Sequence, residues 1–242
     1  MIDLHSHLVP AVDDGVKTHN EAFSILRRME KAYPSESTVV FTPHFAAFMP
    51  ANVASGRKQA VSRFIEGVSG KYNLEFLSAG ELLIKGFALD NLETVRYPGT
   101  GYVLVEFDFS ITWMETLLQI ERVKRRGYRP LVAHPERYKW CIRNPFKTVK
   151  LSKMGCGIVV SARSLLYPGY AETARLLLAR GLSHALASDA HSSSDYILDG
   201  ELRMKLEDTS RISWDALTGE IPWMILQDRT LPVLPLGTED QR

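Results

Sequence analysis

Short apolar runs alternate with longer amphipathic segments along most of this chain. The runs at 2–4, 38–41, 74–78, 102–106, 130–133, 158–161 and 184–187 are rich in β-branched, aromatic or small apolar residues. This alternation is typical of parallel strands joined by helical crossovers. Because such strands must be covered on both faces, seven units predict an α/β fold, a distorted (β/α)7 barrel.

The organisation of the chain predicts a single domain over residues 1–242, because no low-complexity linker or repeat interrupts it. Thr18 and Glu21 have capping-box spacing and predict the start of the first helix. Further helices are expected at 114–126, 145–154, 170–180, 196–207 and 214–226. The proline-containing tail from about residue 231 is expected to be loosely held.

The composition excludes several classes of protein. The 242 residues carry a net charge of +1 and no basic block, so we expect no nucleic-acid partner. Apolar runs fall far below the roughly 18 residues of a membrane span, and the first residues do not resemble a signal peptide. Cys141 and Cys156 lack metal-site spacing and are expected to be reduced. A cytoplasmic location is therefore predicted.

Metal-ligand residues follow most of the predicted strands. His5 and His7 are two residues apart, which puts both on one side of an extended strand. The other strand ends and the loop after the first strand supply Asp14, His44, Glu81, Glu106, His134, Asp189 and His191. In β/α barrels the carboxyl ends of the strands meet at one rim, where clustered carboxylates need cations.

An isolated His-x-His pair is about as often structural as metal-binding. Taken together, however, the strand-end residues favour a centre with two or three metals, because they exceed the needs of one tetrahedral ion. Two histidines remain outside this set. His19 is expected to be exposed in a helix, and His184 to pack or cap at the start of a strand.

A cysteine-dependent phosphatase is excluded by spacing. That chemistry uses a Cys-x5-Arg motif, whereas Cys156 and Arg163 are separated by six residues within and just after an apolar strand. Cys156 is expected to lie in the core.

Several motifs resemble those of the PHP superfamily of metal-dependent phosphoesterases. They are closest to the bacterial manganese-dependent tyrosine-protein phosphatases of capsule and exopolysaccharide synthesis. The resemblance spans residues 1 to about 191 and rests on Asp3-Leu4-His5-Ser6-His7, Asp13-Asp14-Gly15 with Lys17, Thr42-Pro43-His44, Gly80-Glu81-Leu82, Val105-Glu106-Phe107, Ala133-His134-Pro135-Glu136-Arg137 and Ala187-Ser188-Asp189-Ala190-His191.

The resemblance implies three divalent metals, with Mn²⁺ favoured and Fe, Co or Zn as alternatives. One metal would be held by His5, His7, Glu81 and Asp189, a second by Asp14, His44 and His191, and a third by Glu106 and His134 with Glu81 bridging. Such metals activate water and neutralise phosphoryl charge.

Arg137 is the predicted catalytic residue that binds the phosphate, since a guanidinium can hydrogen-bond to two phosphoryl oxygens at once. Its alternative is a surface ion pair with Glu136.

Two segments depart from the phosphatase pattern. The loop after His44 is Phe45-Ala46-Ala47-Phe48-Met49-Pro50, where relatives usually carry basic residues, and His191 is followed by Ser192-Ser193-Ser194 where an arginine is usual. Arg163 could substitute as an anion ligand or face solvent. Phe45 could stack on a phosphotyrosine ring or lie in the core.

The resemblance thus implies a metal-dependent protein-tyrosine phosphatase that acts on a tyrosine kinase of polysaccharide export. Two alternatives remain open at this point. One is a PHP phosphatase of a small metabolite such as histidinol phosphate or a sugar phosphate. The other is a catalytically weak, metal-stabilised interaction subunit, suggested by the missing basic residues.

Overall fold

The computed structural model describes residues 1–207 and 209–235, which form a mixed α/β fold of parallel strands and helices. The strands are β1 (Ile2–Ser6), β2 (Ser37–Phe41), β3 (His44–Ala46), β4 (Leu74–Ser78), β5 (Glu81–Ile84), β6 (Tyr102–Phe107), β7 (Arg129–Ala133), β8 (Gly157–Ser161) and β9 (Ala185–Ala187). The α-helices are α1 (His19–Ala32), α2 (Ala51–Val68), α3 (Leu92–Val95), α4 (Trp113–Arg125), α5 (Lys139–Arg143), α6 (Lys147–Lys153), α7 (Pro168–Ala179), α8 (Gly200–Glu207) and α9 (Ile221–Leu226).

The strands form two parallel sheets. One has the order β1-β2-β4 and the other the order β3-β5-β6-β7-β8-β9. Their edges meet where β1 approaches β9: the Asp189 amide donates to the His5 carbonyl at 2.8 Å, and the His7 amide donates to the Ala190 carbonyl at 3.1 Å. The polar carboxyl ends of the first and last strands therefore lie side by side.

The described residues form nine strands where the sequence predicts seven, because two of the predicted strands are each followed closely by a further short strand. The segment after Pro43, expected to be a loop, forms β3, and the segment after Gly80 forms β5. Pro43 has no amide hydrogen to donate to a ladder, which favours an interruption there. A Cβ at Gly80 would lie 2.7 Å from the Phe45 ring and 2.8 Å from Val95, so glycine allows this close approach. The result places His44 directly opposite Glu81 in the β3–β5 register.

Two apolar layers support the strands. The larger lies between strands and helices and includes Ile25, Phe41 and Val105. The smaller contains Leu4, Val40, Leu104, Leu131 and Val159, all from strands β1, β2, β6, β7 and β8. Each fully buried side chain of this size contributes roughly 1.5–3 kcal/mol by leaving water. Tyr97 closes part of the smaller layer, since its hydroxyl donates to the Leu4 carbonyl at 2.7 Å.

The helices follow the predicted pattern with local differences. Thr18 caps α1 as expected, accepting from the Glu21 amide at 3.2 Å. The expected helix at 145–154 is shorter, α6, and is preceded by the unpredicted α5, while α8 begins only at Gly200. A π-helical stretch, Ala216–Glu220, precedes α9. Pro222 follows it and cannot donate a helical hydrogen bond, which favours the wider turn.

The tail is attached more firmly than the sequence predicts as far as Pro235. Leu234 is buried and its amide donates to Ser152 Oγ at 2.9 Å, while His184 Nε2 lies 2.8 Å from the Pro232 carbonyl. These partners are distant in sequence, so local composition did not reveal them. The expectation for 236–242 falls outside the described residues. No helix among the described residues has both the length and the apolar character needed to span a membrane.

Candidate metal centre

The nine predicted ligands come together at the carboxyl ends of the strands, and the most buried of them form an inner group. His5 Nε2 and His7 Nε2 are 3.0 Å apart, and each is 3.2 Å from Glu81 Oε2. Asp189 Oδ1 lies 3.6 and 3.7 Å from the same two nitrogens. Donor atoms around one tetrahedral cation, each about 2.1 Å from it, are about 3.4 Å apart. His5, His7 and Glu81 therefore have the spacing of a single ion's ligands, and Asp189 lies next to the two histidines.

The end of β1 is shaped for this convergence. The register of β1 against β2 shifts by one residue between Asp3 and Ser6, as in a β-bulge. Bulges re-aim side chains and are common beside functional sites. Here His5 and His7 are both buried, with ring centroids 5.1 Å apart.

An outer group opens toward solvent. Asp14 Oδ1 lies 3.3 Å from His44 Nε2 and 3.5 Å from His191 Nε2. His7 lies within the same cluster of potential ligand atoms. The Asp14 side chain is 67% exposed, so a cation held here would be accessible to a molecule entering from solvent.

A third group surrounds both oxygens of Glu81. His44 Nδ1 is 3.0 Å from Glu81 Oε2 and 3.6 Å from Glu106 Oε2. His134 Nε2 is 2.8 Å from Glu81 Oε1 and 3.6 Å from Glu106 Oε1. Glu81 thus contacts four imidazoles and links all three groups.

The charges in the cluster depend on one another. Burial acts to raise the pKa of Glu81, but His5 and His44 outweigh it and hold that pKa well below its usual range. Burial acts to lower the pKa of His5 and of His44, but nearby carboxylates outweigh it. Glu81 raises the pKa of His5. Glu81 and Asp14 together raise the pKa of His44 to about 12. Burial and the nearby Glu81 carboxylate raise the pKa of Glu106 to about 8. Packed carboxylates of this kind are stabilised by positive charge placed between them.

The donor set fits divalent metals. Glu81 Oε2 is buried and makes no hydrogen bond to the described residues, although three imidazoles approach it. A buried acceptor in that state is costly unless another partner satisfies it. Imidazole nitrogens with carboxylate oxygens suit Mn²⁺, Fe²⁺, Co²⁺ and Zn²⁺.

Two of the candidate ligands have a strained backbone. His134 follows β7 with a φ of 33°, and Asp189 follows β9 with a φ of 51°. Left-handed backbone costs a residue with a side chain of order 1–3 kcal/mol and is often kept at functional sites. Both residues turn out of their strands at the rim, which directs their side chains into the cluster.

Asp13 supports the ligands from behind and was not singled out by the sequence analysis. Its Oδ2 lies 2.7 Å from His7 Nδ1 and accepts from the His44 amide at 2.9 Å, while its Oδ1 accepts from the Gly15 amide at 2.9 Å. A Cβ at Gly15 would overlap the His7 carbonyl. Carboxylates on the far nitrogen of a histidine commonly orient it toward a metal. The Asp13-Asp14-Gly15 motif is the sequence feature from which a role for Asp13 could have been inferred.

Arg137 lies beside the inner group. Its Nη2 contacts Asp189 and donates to Ser161 Oγ at 3.0 Å, while its Nε donates to Ser164 Oγ at 3.0 Å. Glu136 is buried and accepts from the Ser161 amide at 3.0 Å, which excludes the alternative of an exposed Glu136–Arg137 pair. Nη1 of Arg137 makes no hydrogen bond to the described residues.

The cluster opens into a cavity of about 470 Å³ lined by Arg57, Arg137 and Arg163. Arg163 faces the site instead of solvent, with Nε 3.1 Å from Asp195 Oδ2 and Nη1 3.2 Å from His191 Nδ1. A cavity of about 600 Å³ beside α8 is larger, but no histidine lines it.

Arg57 was missed by the sequence analysis. It lies on α2, thirteen residues after His44, donates to the His44 carbonyl and stacks with its guanidinium carbon 5.7 Å from the Phe45 ring centroid. Within the described residues it has no carboxylate at ion-pair distance. Arg57 supplies a positive charge close to the apolar loop 45–50, which has no basic residue of its own. No sequence motif indicated that Arg57 would lie there.

Phe45 is placed differently from the expectation of a substrate-stacking ring. Only 1% of it is exposed, and it packs against Gly80 at the edge of the cavity. Of the two phenylalanines that line the cavity, Phe109 is the exposed one, at 41%. The sequence could not distinguish these rings, because both come shortly after predicted strands.

These features define an α/β protein with a candidate metal centre at the carboxyl ends of parallel strands. A family model described as "Capsular polysaccharide synthesis, CpsB/CapC" matches residues 1–197. The chain belongs to this family, which confirms the resemblance found in the sequence.

Curated relatives agree with this assignment. The chain is 28% identical to "Tyrosine-protein phosphatase CpsB" of Streptococcus agalactiae, with 79% of this chain and 83% of that protein covered. It is 28% identical to the protein of the same name from Streptococcus pneumoniae, with the same coverage. It is 26% identical to "Tyrosine-protein phosphatase YwqE" of Bacillus subtilis, covering 79% of this chain and 78% of that one.

The fold also matches a solved structure. A chain described under "Crystal structures of YwqE from Bacillus subtilis and CpsB from Streptococcus pneumoniae, unique metal-dependent tyrosine phosphatases" superposes with a TM-score of 0.74 and 24% identity. The match covers 98% of this chain and 100% of that chain. It confirms the α/β fold with parallel sheets.

Proposed function

We propose that this chain is a metal-dependent phosphatase that hydrolyses phosphotyrosine in proteins. The observation that carries the proposal is the position of Glu81, buried among four imidazoles at the base of a cavity lined by arginines. The names of the curated relatives support the choice of phosphotyrosine over a small metabolite.

Three metal sites account for the nine candidate ligands. The inner site would be held by His5, His7, Glu81 and Asp189, the outer site by Asp14, His44 and His191, and the third by Glu106 and His134 together with Glu81. Divalent cations bound there would lower the pKa of a bound water and neutralise the charge on phosphoryl oxygens. The large share of carboxylates favours Mn²⁺.

The protein's own groups position the substrate. Arg137 holds Asp189 in place through Nη2 and offers Nη1 to a phosphoryl oxygen, because that nitrogen has no protein partner among the described residues. Arg57, without a carboxylate partner there, contributes a second cationic contact beside His44. Arg163 is held by Asp195 near His191, where it adds to the positive potential.

We also propose how the two sheets combine. Since β3 continues β2 and β5 continues β4, and since β1 meets β9 at Ser6 and Ala190, the strands trace a distorted seven-membered barrel within one domain. Its carboxyl-end rim would hold the metals. This arrangement places all nine ligands at one opening.

The proposed substrate is a phosphorylated bacterial tyrosine kinase that controls polysaccharide export. The family description links these proteins to capsular polysaccharide synthesis. A cytoplasmic location fits the two free, buried cysteines, Cys141 and Cys156, since free thiols are usual in reducing compartments.

The test compares substrate classes on the purified, Mn²⁺-loaded chain. We expect phosphotyrosine peptides to be hydrolysed with a kcat/KM at least about 100-fold above that for histidinol phosphate or a sugar phosphate. The reverse ranking would support the small-metabolite phosphatase. If the metal-loaded chain is folded but turns over none of these substrates, the enzymatic hypothesis is rejected. The alternative of a metal-stabilised interaction subunit would then remain.

A further inference from the structure

Phe109 presents an exposed aromatic ring to the cavity of the metal centre. It follows β6 and comes three residues after Glu106. Because Phe45 is buried, Phe109 is the phenylalanine of the lining with ring surface available to a bound molecule. The metal ligands and the arginines of the cavity do not explain why an aromatic ring is exposed at this position.

The backbone at Phe109 is fixed by local hydrogen bonds. Asp108 Oδ1 accepts from the Ser110 amide at 2.8 Å, and the Asp108 carbonyl accepts from the Ile111 amide at 2.8 Å. Thr112 then caps the N-terminus of α4 in a capping box with Glu115. The ring is therefore carried by an ordered turn and not by a long loop.

The ring is also oriented by its neighbours. Its centroid lies 6.0 Å from that of His134 with an interplanar angle of 75°, and 6.1 Å from that of Tyr138. Tyr138 is itself fixed, because its hydroxyl accepts from the Phe107 amide at 3.1 Å. Phe109 thus stands directly beside a candidate metal ligand, with 41% of its surface open.

We propose that Phe109 is a specificity residue that packs against the phenyl ring of phosphotyrosine; this inference rests on the proposed function. In an aryl phosphate a single oxygen joins the ring to phosphorus. A ring packed on Phe109 would therefore bring its phosphoryl group close to His134 and Glu106. Edge-to-face or offset contact between two aromatic rings favours such a ligand over an alkyl phosphate.

The test measures inhibition of phenyl phosphate hydrolysis by phenylphosphonate, methylphosphonate and inorganic phosphate. In Phe109→Ala we expect the Ki of phenylphosphonate to rise about fivefold, while the other two Ki values change less than about twofold. Phe109→Tyr should restore tight phenylphosphonate binding. Phe87→Ala is the matched control, since Phe87 is 79% exposed and does not line the cavity.

The outcomes separate this inference from the proposed function. If the wild-type chain with Mn²⁺ does not hydrolyse phenyl phosphate or phosphotyrosine, the proposed function fails. If the wild type is active but Phe109→Ala leaves the Ki of phenylphosphonate unchanged, only the role of Phe109 is refuted. An equal rise for all three inhibitors would also refute it, because Phe109 would then act through His134. Should Phe109→Ala fold poorly, Phe109→Leu tests the same loss of the aromatic face.

Discussion

His5 and His184 are both fully buried histidines at the ends of strands, yet their environments differ completely. The carboxylates of Glu81 and Asp189 outweigh burial and raise the pKa of His5. His184 has no carboxylate neighbour among the described residues, and burial lowers its pKa to about 4. It accepts from the Ile158 amide at 3.0 Å and contacts the Pro232 carbonyl, so it connects β8 to the tail.

This contrast shows that burial alone does not mark a histidine as a candidate metal ligand. Burial of a histidine beside carboxylates is the feature that indicates a candidate metal site. The region at the carboxyl ends of the strands concentrates carboxylates that a bound cation would stabilise. The region around His184 satisfies its polar atoms internally. Substitutions in the two regions should therefore have different consequences, one for metal-dependent activity and the other for stability.

The largest effect is expected from Glu81→Gln. Removing the shared carboxylate charge from all three groups should lower kcat/KM on a phosphotyrosine peptide by more than about 1,000-fold and reduce bound metal. Steady-state kinetics and elemental analysis measure both. Glu66→Gln, an exposed change on α2, serves as the control. Near-normal activity of Glu81→Gln would show that the buried cluster is structural.

The next effect concerns the pH dependence of stability at His184. Its folded-state pKa of about 4 lies below the usual 6.5, so the unfolded chain binds a proton first as the pH falls. The free energy of unfolding should therefore drop by about 3 kcal/mol between pH 6.5 and pH 4 on account of this residue.

Denaturant titrations of the wild type and His184→Gln check this, because titration of all other groups cancels in the difference between them. The variant should lose that part of the pH dependence. His19→Gln, in an exposed position, should retain it. Parallel curves for the wild type and His184→Gln would contradict the assignment of a neutral buried imidazole.

A smaller effect is expected from Asp13→Asn, which weakens the support behind His7 and His44. The Mn²⁺ concentration for half-maximal activity should rise about 10- to 100-fold, while kcat at saturating Mn²⁺ stays close to that of the wild type. A Mn²⁺ titration of activity measures it, with the exposed Asp215→Asn as control. An unchanged titration would mean that Asp13 does not orient the ligands.

The smallest of the expected effects is that of Arg57→Ala. Loss of one charged contact to the phosphoryl group should raise KM for a phosphotyrosine peptide about tenfold, with kcat changed less than about twofold. Arg63→Ala removes an exposed arginine from the same helix and should leave KM unchanged. Equal KM values for Arg57→Ala and the wild type would show that Arg57 does not contact the phosphoryl group.

Much of the fold could be predicted because the strands are short apolar runs with strong local signals. The sequence could not predict that β2 and β4 continue as β3 and β5. Those continuations depend on pairing between His44–Ala46 and Glu81–Ile84, which are distant in sequence. The docking of Leu234 beside Ser152 was missed for the same reason.

The convergence of the nine candidate ligands could be predicted, because the carboxyl ends of parallel strands meet at one edge. The surrounding substrate-facing groups could not. Arg57 comes from a helix and Phe109 from a turn, and only tertiary packing directs them into the cavity. For Phe45, adjacent to His44 in sequence, a substrate-stacking position and a core position were both open; it packs inward, since Gly80 leaves room for its ring.

The central claim, that the buried cluster is a catalytic metal centre, is tested most directly by one measurement. The purified chain is assayed on a phosphotyrosine peptide before chelation, after chelation and after Mn²⁺ is returned, with bound metal determined at each stage. We predict activity that disappears with the metal and returns with about three Mn²⁺ per chain, one for each of the three ligand groups. Full activity in the metal-free chain would contradict the account.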